Sequence, residues 1–169
     1  MPSDLRIRVR EQMQIYQGIL SSWINDKRKI LDVGIAGDKE FPSENYKYFP
    51  SKNFKTADID PQWRPDYVQD ICKTDFPDNH WDMVILSQTL EHIFDFRKAI
   101  AEIYRIVKPG GYAIIDSPFM YIHHPEANFA DYWRFSPQAL QKLIEEVGFD
   151  GEAKLIDNLL TTVLLCKKY

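Results

Sequence analysis

Short apolar runs that each stop at glycine, aspartate or a polar turn constrain this chain more than any other feature. Lys29-Ile-Leu-Asp-Val33 stops at Gly34, Phe54 to Ile59 is closed by Asp60-Pro61, and Trp81-Asp-Met-Val-Ile-Leu86 gives way to a polar run. Runs of this kind read as buried strands followed by tight turns. Further short strands fit Tyr67 to Gln69 and Tyr112 to Ile115, and two last ones fit 152–157 and 159–166, joined at Asp157-Asn158. Helical spacing lies between and around them. Leu5, Val9, Met13, Tyr16, Leu20 and Trp23 predict an amphipathic helix over 4–24, capped by Ser3 or Asp4. Its other face, with Arg6, Arg8, Arg10 and Glu11, is either solvated or a basic docking surface. Phe96, Ile100, Ile103 and Val107 mark a second helix, ended by Lys108-Pro-Gly-Gly111. Ser136-Pro137 opens a third, with Leu140, Leu143, Ile144 and Val147 as its buried stripe and Gly148 as its stop.

Strands alternating with helices predict an α/β fold, a three-layer sandwich with helices on both faces of a mostly parallel sheet. The chain has 169 residues, which suits one domain: an N-terminal helix over 1–25 and a core over 29–169. Hydrophobic residues at 44% and charged residues at 27% are ordinary for a globular protein. No apolar run approaches the length of a membrane span, and the N-terminus MPSDLRIRVREQ lacks the apolar core of a signal peptide. Cys72 and Cys166 have no metal-like neighbour spacing. They are expected as reduced thiols in a cytoplasmic protein without a metal site. A net charge of −4 argues against nucleic acid as a main partner.

In such sheets ligands bind beyond the carboxyl ends of the strands, where strand order reverses. The residues at those ends are therefore the candidates. After the first strand come Gly34, Ile35, Ala36 and Gly37, small enough to let a ligand approach the backbone or to form a tight turn. Asp32 either orients an ammonium group or caps that loop. Asp58 ends the second strand, where a carboxylate can accept both hydroxyls of a ribose or close an Asx-turn. Asp70-Ile71 after the third can accept from an adenine amine and pack on its ring, or cap a loop. Ser87-Gln88-Thr89-Leu90-Glu91-His92 after the fourth lines a cleft.

Taken in order, ILDVGIAG (30–37), KTADIDP (55–61), DICKTDFPDNHWDMVILSQTLEHI (70–93) and RIVKPGGYAIIDSPF (105–119) resemble the class I S-adenosylmethionine-dependent methyltransferases, of the small methyltransferase type 11 kind. The resemblance covers roughly residues 29–149 and implies a Rossmann-like, seven-stranded sheet whose last strand is antiparallel. It implies S-adenosyl-L-methionine as cofactor, with Asp32, Gly34, Ala36 and Gly37 around its methionine part. Asp58, with Ile59 beside it, falls at its ribose, Asp70 and Ile71 at its adenine, and Ser87 and Gln88 near its sulfonium. The stretch PFMYIHHPEANFADYWRFSPQAL (118–140) is similar to a subgroup associated with bacterial polysaccharide or glycoconjugate assembly, which implies a small-molecule or glycan-like acceptor. Two departures carry expectations. Ala36 and Asp38 stand where the family loop has glycines, which predicts modest cofactor affinity. Pro42 and Pro50 predict a short or broken helix after that loop, with Tyr46, Tyr48 and Phe49 packed on the sheet or forming a flap.

Methyl transfer from a sulfonium needs an acceptor held in line and, for a hydroxyl acceptor, a general base. His123, His124 and His92 are the candidate bases, His92 also as a substrate contact. Arg134 either grips an anionic acceptor or pairs with Asp131 to fix its loop. Tyr132 and Trp133 either stack on the acceptor or, like Phe135, join the core. The activity expected is that of a methyltransferase; the alternative is a protein that binds the cofactor without turnover. Oligomeric state is open.

Overall fold

The structure, a computed structural model, describes residues 3–35, 44–123, 130–156 and 161–169; for residues 3–10 and Glu44 the backbone alone is described. The elements run α1 (Ser3–Ile19), β1 (Lys29–Val33), β2 (Asn53–Asp58), β3 (Tyr67–Val68), β4 (Trp81–Ser87), α2 (Phe96–Ile106), β5 (Val107–Pro118), α3 (Pro137–Val147), β6 (Phe149–Ile156) and β7 (Thr161–Lys168). The strands form one seven-stranded sheet in the order β3-β2-β1-β4-β5-β7-β6. β1 to β5 pair in parallel, while β7 runs antiparallel to both β5 and β6. Strand order reverses between β1 and β4, the crevice where ligands of open α/β sheets bind.

The period-2 alternation of side chains along the strands makes the three layers. Leu31, Val33, Val84, Leu86, Ala113 and Ile115 face one way and pack against Ile100, Ile103 and Ile106 of α2 and Leu140, Leu143 and Ile144 of α3. Ile30, Met83, Ile85 and Ile114 face the other way, where Met13 and Tyr16 of α1 and the following Leu20 cover them. Those three residues stand three and four apart, so they form one stripe on a helical surface.

Several boundaries differ from the sequence reading. α1 ends at Ile19, and the chain continues to Ile24 through hydrogen-bonded turns, with Ile24 N donating to Leu20 O at 2.9 Å. The sequence spacing survives because Leu20 and Trp23 still pack beneath this face. Lys108-Pro-Gly-Gly111 does not stand outside the sheet: β5 begins at Val107, opposite Trp81, and the register slips before Tyr112 pairs with Met83. A bulge of this kind absorbs turn-like residues without ending the strand. α3 begins and ends as its sequence predicts. Ser136 Oγ accepts from Ala139 N at 3.2 Å, and Gly148 at φ 98° donates to Ile144 O and Glu145 O. After β1 the chain returns as a single 3-10 turn, Glu44–Lys47, and Phe49 is fully buried while Tyr46 meets Phe54 edge-on. The aromatics there pack on the sheet. The Asp157-Asn158 turn and the Ser3 or Asp4 cap lie outside the described residues and side chains.

The last strand is pinned at its far end by a buried ammonium. Lys168 Nζ, on a residue 8% exposed, donates to Asn79 Oδ1, Tyr104 O and Val107 O at 2.8, 2.8 and 2.9 Å. All three donors are used, which is what makes burial of the charge tolerable. Lys168→Met keeps the apolar stem and strands two carbonyls. It should lower stability by about 1–3 kcal/mol in urea unfolding; an unchanged midpoint would show that water replaces the contacts at no cost.

Candidate active site

The register of three strands decides what meets at the crevice. Val33 of β1 stands level with Ala57 of β2 on one side and Leu86 of β4 on the other. Gly34, Asp58 and Ser87, the next residue on each strand, therefore leave the sheet side by side. Gly34 has φ 77°, and a Cβ on it would sit 2.2 Å from Thr89 Oγ1. Glycine is thus required twice, for the backbone angle and for the close approach of the β4 turn. Thr89 Oγ1 also reaches Gly34 O at 3.3 Å, so the two turns are built against each other.

Asp58 is 5% exposed, and its Oδ1 accepts from Asp60 N at 2.9 Å, an Asx-turn that holds the carboxylate at the strand end. Ile59 beside it is 67% exposed. Gln69 N donates to Asp58 O, which brings the end of β3 against the end of β2. Asp70 follows at once, exposed, with Oδ1 accepting from Cys72 N at 2.8 Å. Ile71 turns inward and packs in the core. Asp32, 3% exposed, accepts from Asn45 Nδ2 at 3.0 and 3.2 Å, tying the return of the chain to the end of β1. Ala36, Gly37, Asp38 and His124 lie outside the described residues.

Beside Gln88 at the end of β4, the structure adds Asp116, which the sequence reading did not include among the site residues. Gln88 has φ 48°, unusual for a residue with a side chain and costing on the order of 1 kcal/mol. Its amide Nε2 donates to Asp116 Oδ1 at 2.6 Å, and its backbone N donates to Asp116 O at 3.0 Å. Asp116 ends the apolar run of β5 as Asp58 ends that of β2, and that repeated pattern was the available signal. Burial pushes the Asp116 carboxyl up to about 6, against the hydrogen bonds from Gln88 and Ser87 that pull it down. Glu91 is fully buried, with Oε2 accepting from Ser117 Oγ at 3.0 Å; burial pushes it up to about 8, and the neighbouring Asp116 and Asp131 add to the rise.

His92 is turned into the protein. Its Nδ1 lies 2.6 Å from Ala130 O and its Nε2 3.6 Å from Glu91 Oε1. A carbonyl only accepts, so Nδ1 carries a proton and Nε2 faces the carboxyl. His92, a candidate base or substrate contact in the sequence, thus has both nitrogens beside groups of the chain itself. Arg134 is committed in the same way. Nε donates to Tyr121 O and Nη2 to Ile122 O, at 3.0 and 2.9 Å; Nη1 donates to Trp133 O at 2.7 Å, and both terminal nitrogens clasp the Asp131 carboxylate. All five donors of the guanidinium are used within the chain. The sequence alternative in which Arg134 pairs with Asp131 to fix its loop is the arrangement found. Phe135 is core, Trp133 packs partly against it, and Tyr132 is 50% exposed. His123 is exposed, beyond the end of β5.

A mostly parallel seven-stranded sheet with one antiparallel strand, and a glycine turn at its switch point, is the Rossmann-like arrangement that the sequence resemblance implies. Residues 42–115 match the family model described as a methyltransferase domain. The chain is 26% identical over 127 residues to a ubiquinone/menaquinone biosynthesis C-methyltransferase of Psychromonas ingrahamii, covering 75% of this chain and 40% of that one. A shorter stretch of 78 residues is 33% identical to the corresponding enzyme of Pasteurella multocida, 46% of this chain and 28% of that one. The chain thus spans well under half the length of these curated relatives. Among solved structures it is similar to an S-adenosylmethionine-dependent methyltransferase from Archaeoglobus fulgidus, with TM-score 0.66 and 18% identity over 92% of this chain and 94% of that one. It is also similar to a Burkholderia thailandensis 1,6-didemethyltoxoflavin-N1-methyltransferase with bound 1,6-didemethyltoxoflavin and S-adenosylhomocysteine, with TM-score 0.63 and 16% identity over 92% and 77%. Residues 42–115 thus carry a methyltransferase-domain match, and the relatives and solved structures named here are methyltransferases.

The buried carboxyls make stability depend on pH. Unfolded, Glu91 and Asp116 ionise near about 4; folded, they ionise near about 8 and about 6. The folded state therefore holds more protons across that window, and stability falls as pH rises through it. Glu91→Gln keeps the shape and removes one ionisation. Urea unfolding at about pH 5 and about pH 8 should show a smaller loss for the variant than for the wild type; equal losses would mean that Glu91 ionises normally.

Proposed function

We propose that the chain transfers a methyl group from S-adenosyl-L-methionine to a small-molecule acceptor, as a single domain acting in the cytoplasm. The observation that carries this reading is the convergence of Gly34, Asp58 and Gln88 at one end of three neighbouring parallel strands, on the crevice where strand order reverses. The residues present fit the cofactor. The buried Asp58 carboxylate, fixed by its Asx-turn, is placed to accept ribose hydroxyls, with the exposed Ile59 beside it as an apolar surface for the adenine. Asp70 lies along the same edge, for the adenine amine, with Ile71 beneath it. The methionine part would lie along the turn that begins at Gly34, whose missing Cβ lets Thr89 close up against it, with Asp32 at the strand end and Ala36 and Gly37 next in the sequence. Ser87 and Gln88 stand at the sulfonium end.

When bound, the cofactor supplies an already activated methyl group. The chain's task is then positioning: an acceptor atom held about 3–3.5 Å from the methyl carbon and in line with the sulfur. The strained Gln88 backbone, locked by Asp116, suits that task because it cannot drift. A hydroxyl acceptor also needs its proton removed. His123, exposed beyond β5 on the ligand side of the sheet, is the described candidate, and His124 adjoins it. The curated relatives are named for quinone substrates and a structural neighbour for a toxoflavin precursor. Those names support a small-molecule acceptor here; a glycan-like acceptor is the finer reading, from the 118–140 stretch.

Asp58→Ala should weaken S-adenosylhomocysteine binding roughly 10- to 100-fold by calorimetry, the loss of hydrogen bonds to one carboxylate. Unchanged affinity would remove Asp58 from the site. Binding by the wild type without methyl-donor consumption across candidate acceptors would instead favour a protein that binds the cofactor without turnover.

A further inference from the structure

Two segments leave the sheet on the acceptor side of the proposed cofactor site. One follows Gln88 at the end of β4, and the other follows Pro118 at the end of β5. A third, 130–134, is laced to both. Tyr132 N and Trp133 N donate to Glu91 O, and Arg134 donates to Tyr121 O and Ile122 O. The polar groups of this junction point inward. The guanidinium of Arg134 spends its donors on Asp131 and three carbonyls, the imidazole of His92 lies between Ala130 O and Glu91, and Glu91 itself is fully buried.

What faces outward is apolar. Phe94 is 64% exposed, Met120 58%, Ile122 74% and Tyr132 50%. Phe94 meets Tyr132 edge-on with centroids 5.3 Å apart and tilts over Trp133 at 5.9 Å. Trp133 then continues through Phe96 to the buried Phe135. Single exposed apolar residues are ordinary, but a connected aromatic cluster anchored in the core is not. Resting on the methyltransferase reading, we infer that Phe94, Ile122 and Tyr132, with Met120, form the acceptor platform, and that the acceptor presents an uncharged aromatic or aliphatic face to it.

Charge and area choose this occupant. The arginine that would have received a phosphate or carboxylate is saturated by Asp131 and three backbone carbonyls. An anionic acceptor would have to shed hydration against this apolar face with no free donor of Arg134 to receive its charge. Four half-exposed side chains offer on the order of a few hundred Å², well short of the roughly 800 Å² per partner of a stable dimer. That area matches one face of a small molecule.

The test uses the uncharged fluorophore N-phenyl-1-naphthylamine, titrated with S-adenosylhomocysteine present, and its sulfonated analogue 8-anilinonaphthalene-1-sulfonate. The full chain should bind the uncharged probe and bind the sulfonate at least roughly tenfold more weakly. Phe94→Ser and Ile122→Ser should each weaken the uncharged probe by roughly tenfold and leave S-adenosylhomocysteine affinity within about twofold. Circular dichroism confirms that both variants fold, and Tyr132→Phe, which keeps the ring, should bind the probe normally. Unchanged probe affinity in both serine variants, or equal affinity for the sulfonate, overturns the platform. So does a dimer in light scattering that Phe94→Ser dissolves, or sedimentation with phosphatidylcholine vesicles that the same variant abolishes. Loss of S-adenosylhomocysteine binding by the wild type itself would instead overturn the methyltransferase reading, whatever the fluorophores do.

Discussion

The parallel pairing of β1 between β2 and β4 is the constraint on which the rest depends. Its register sets Val33 level with Ala57 and Leu86, so the three strands end together. A shift of one residue would turn the side chains of β1 to the opposite faces and uncouple both helical layers. Instead Leu31 and Val33 meet α2 and α3, Ile30 meets α1, and the next residue of each strand enters the crevice. Burial energy and site geometry therefore come from one arrangement. The backbone angle of Gly34 and its contact with Thr89 then fix how close the β1 and β4 turns approach.

Around that crevice the molecule divides its polar groups by task. Asp58 sits at a strand end with an Asx-turn to hold it, and it is the group we propose for the ribose hydroxyls. Asp116, Glu91 and Asp131 are buried, and each serves the chain itself: Gln88 is locked, Ser117 is held, and Arg134 is clasped. Keeping carboxyls in the interior raises two of them toward neutrality and makes the fold sensitive to alkali. In return the described segments after β4 and β5 are tied together by hydrogen bonds within the chain.

Much of this was legible in the sequence. Apolar runs ending in Gly34, Asp58 and Ser87 announced both the strands and the crevice, because a buried parallel strand is nearly continuous in apolar residues and must stop at a turn. Ser136 and Gly148 announced α3 to the residue, since capping chemistry is local. Lys108-Pro-Gly-Gly111 misled, because a bulge inside a strand uses the same residues as a turn outside one. Arg134 and His92 could be read two ways for a different reason. Whether a charged side chain points out to a ligand or in to a carbonyl is decided by partners distant in sequence, here Tyr121, Ile122 and Ala130. Asp116 repeated the pattern of Asp58, yet only the fold shows that it reaches Gln88 rather than the open crevice.

The most direct test of the central claim is a crystal structure of the chain with S-adenosylhomocysteine bound. The account predicts ribose hydroxyls on the Asp58 carboxylate, the adenine toward Ile59 and Asp70, and the homocysteine sulfur beside Gln88, with the Gly34 backbone against the ligand. A ligand seated elsewhere on the molecule, or one that leaves Asp58 untouched while Gly34 and Gln88 keep the positions described, would contradict it.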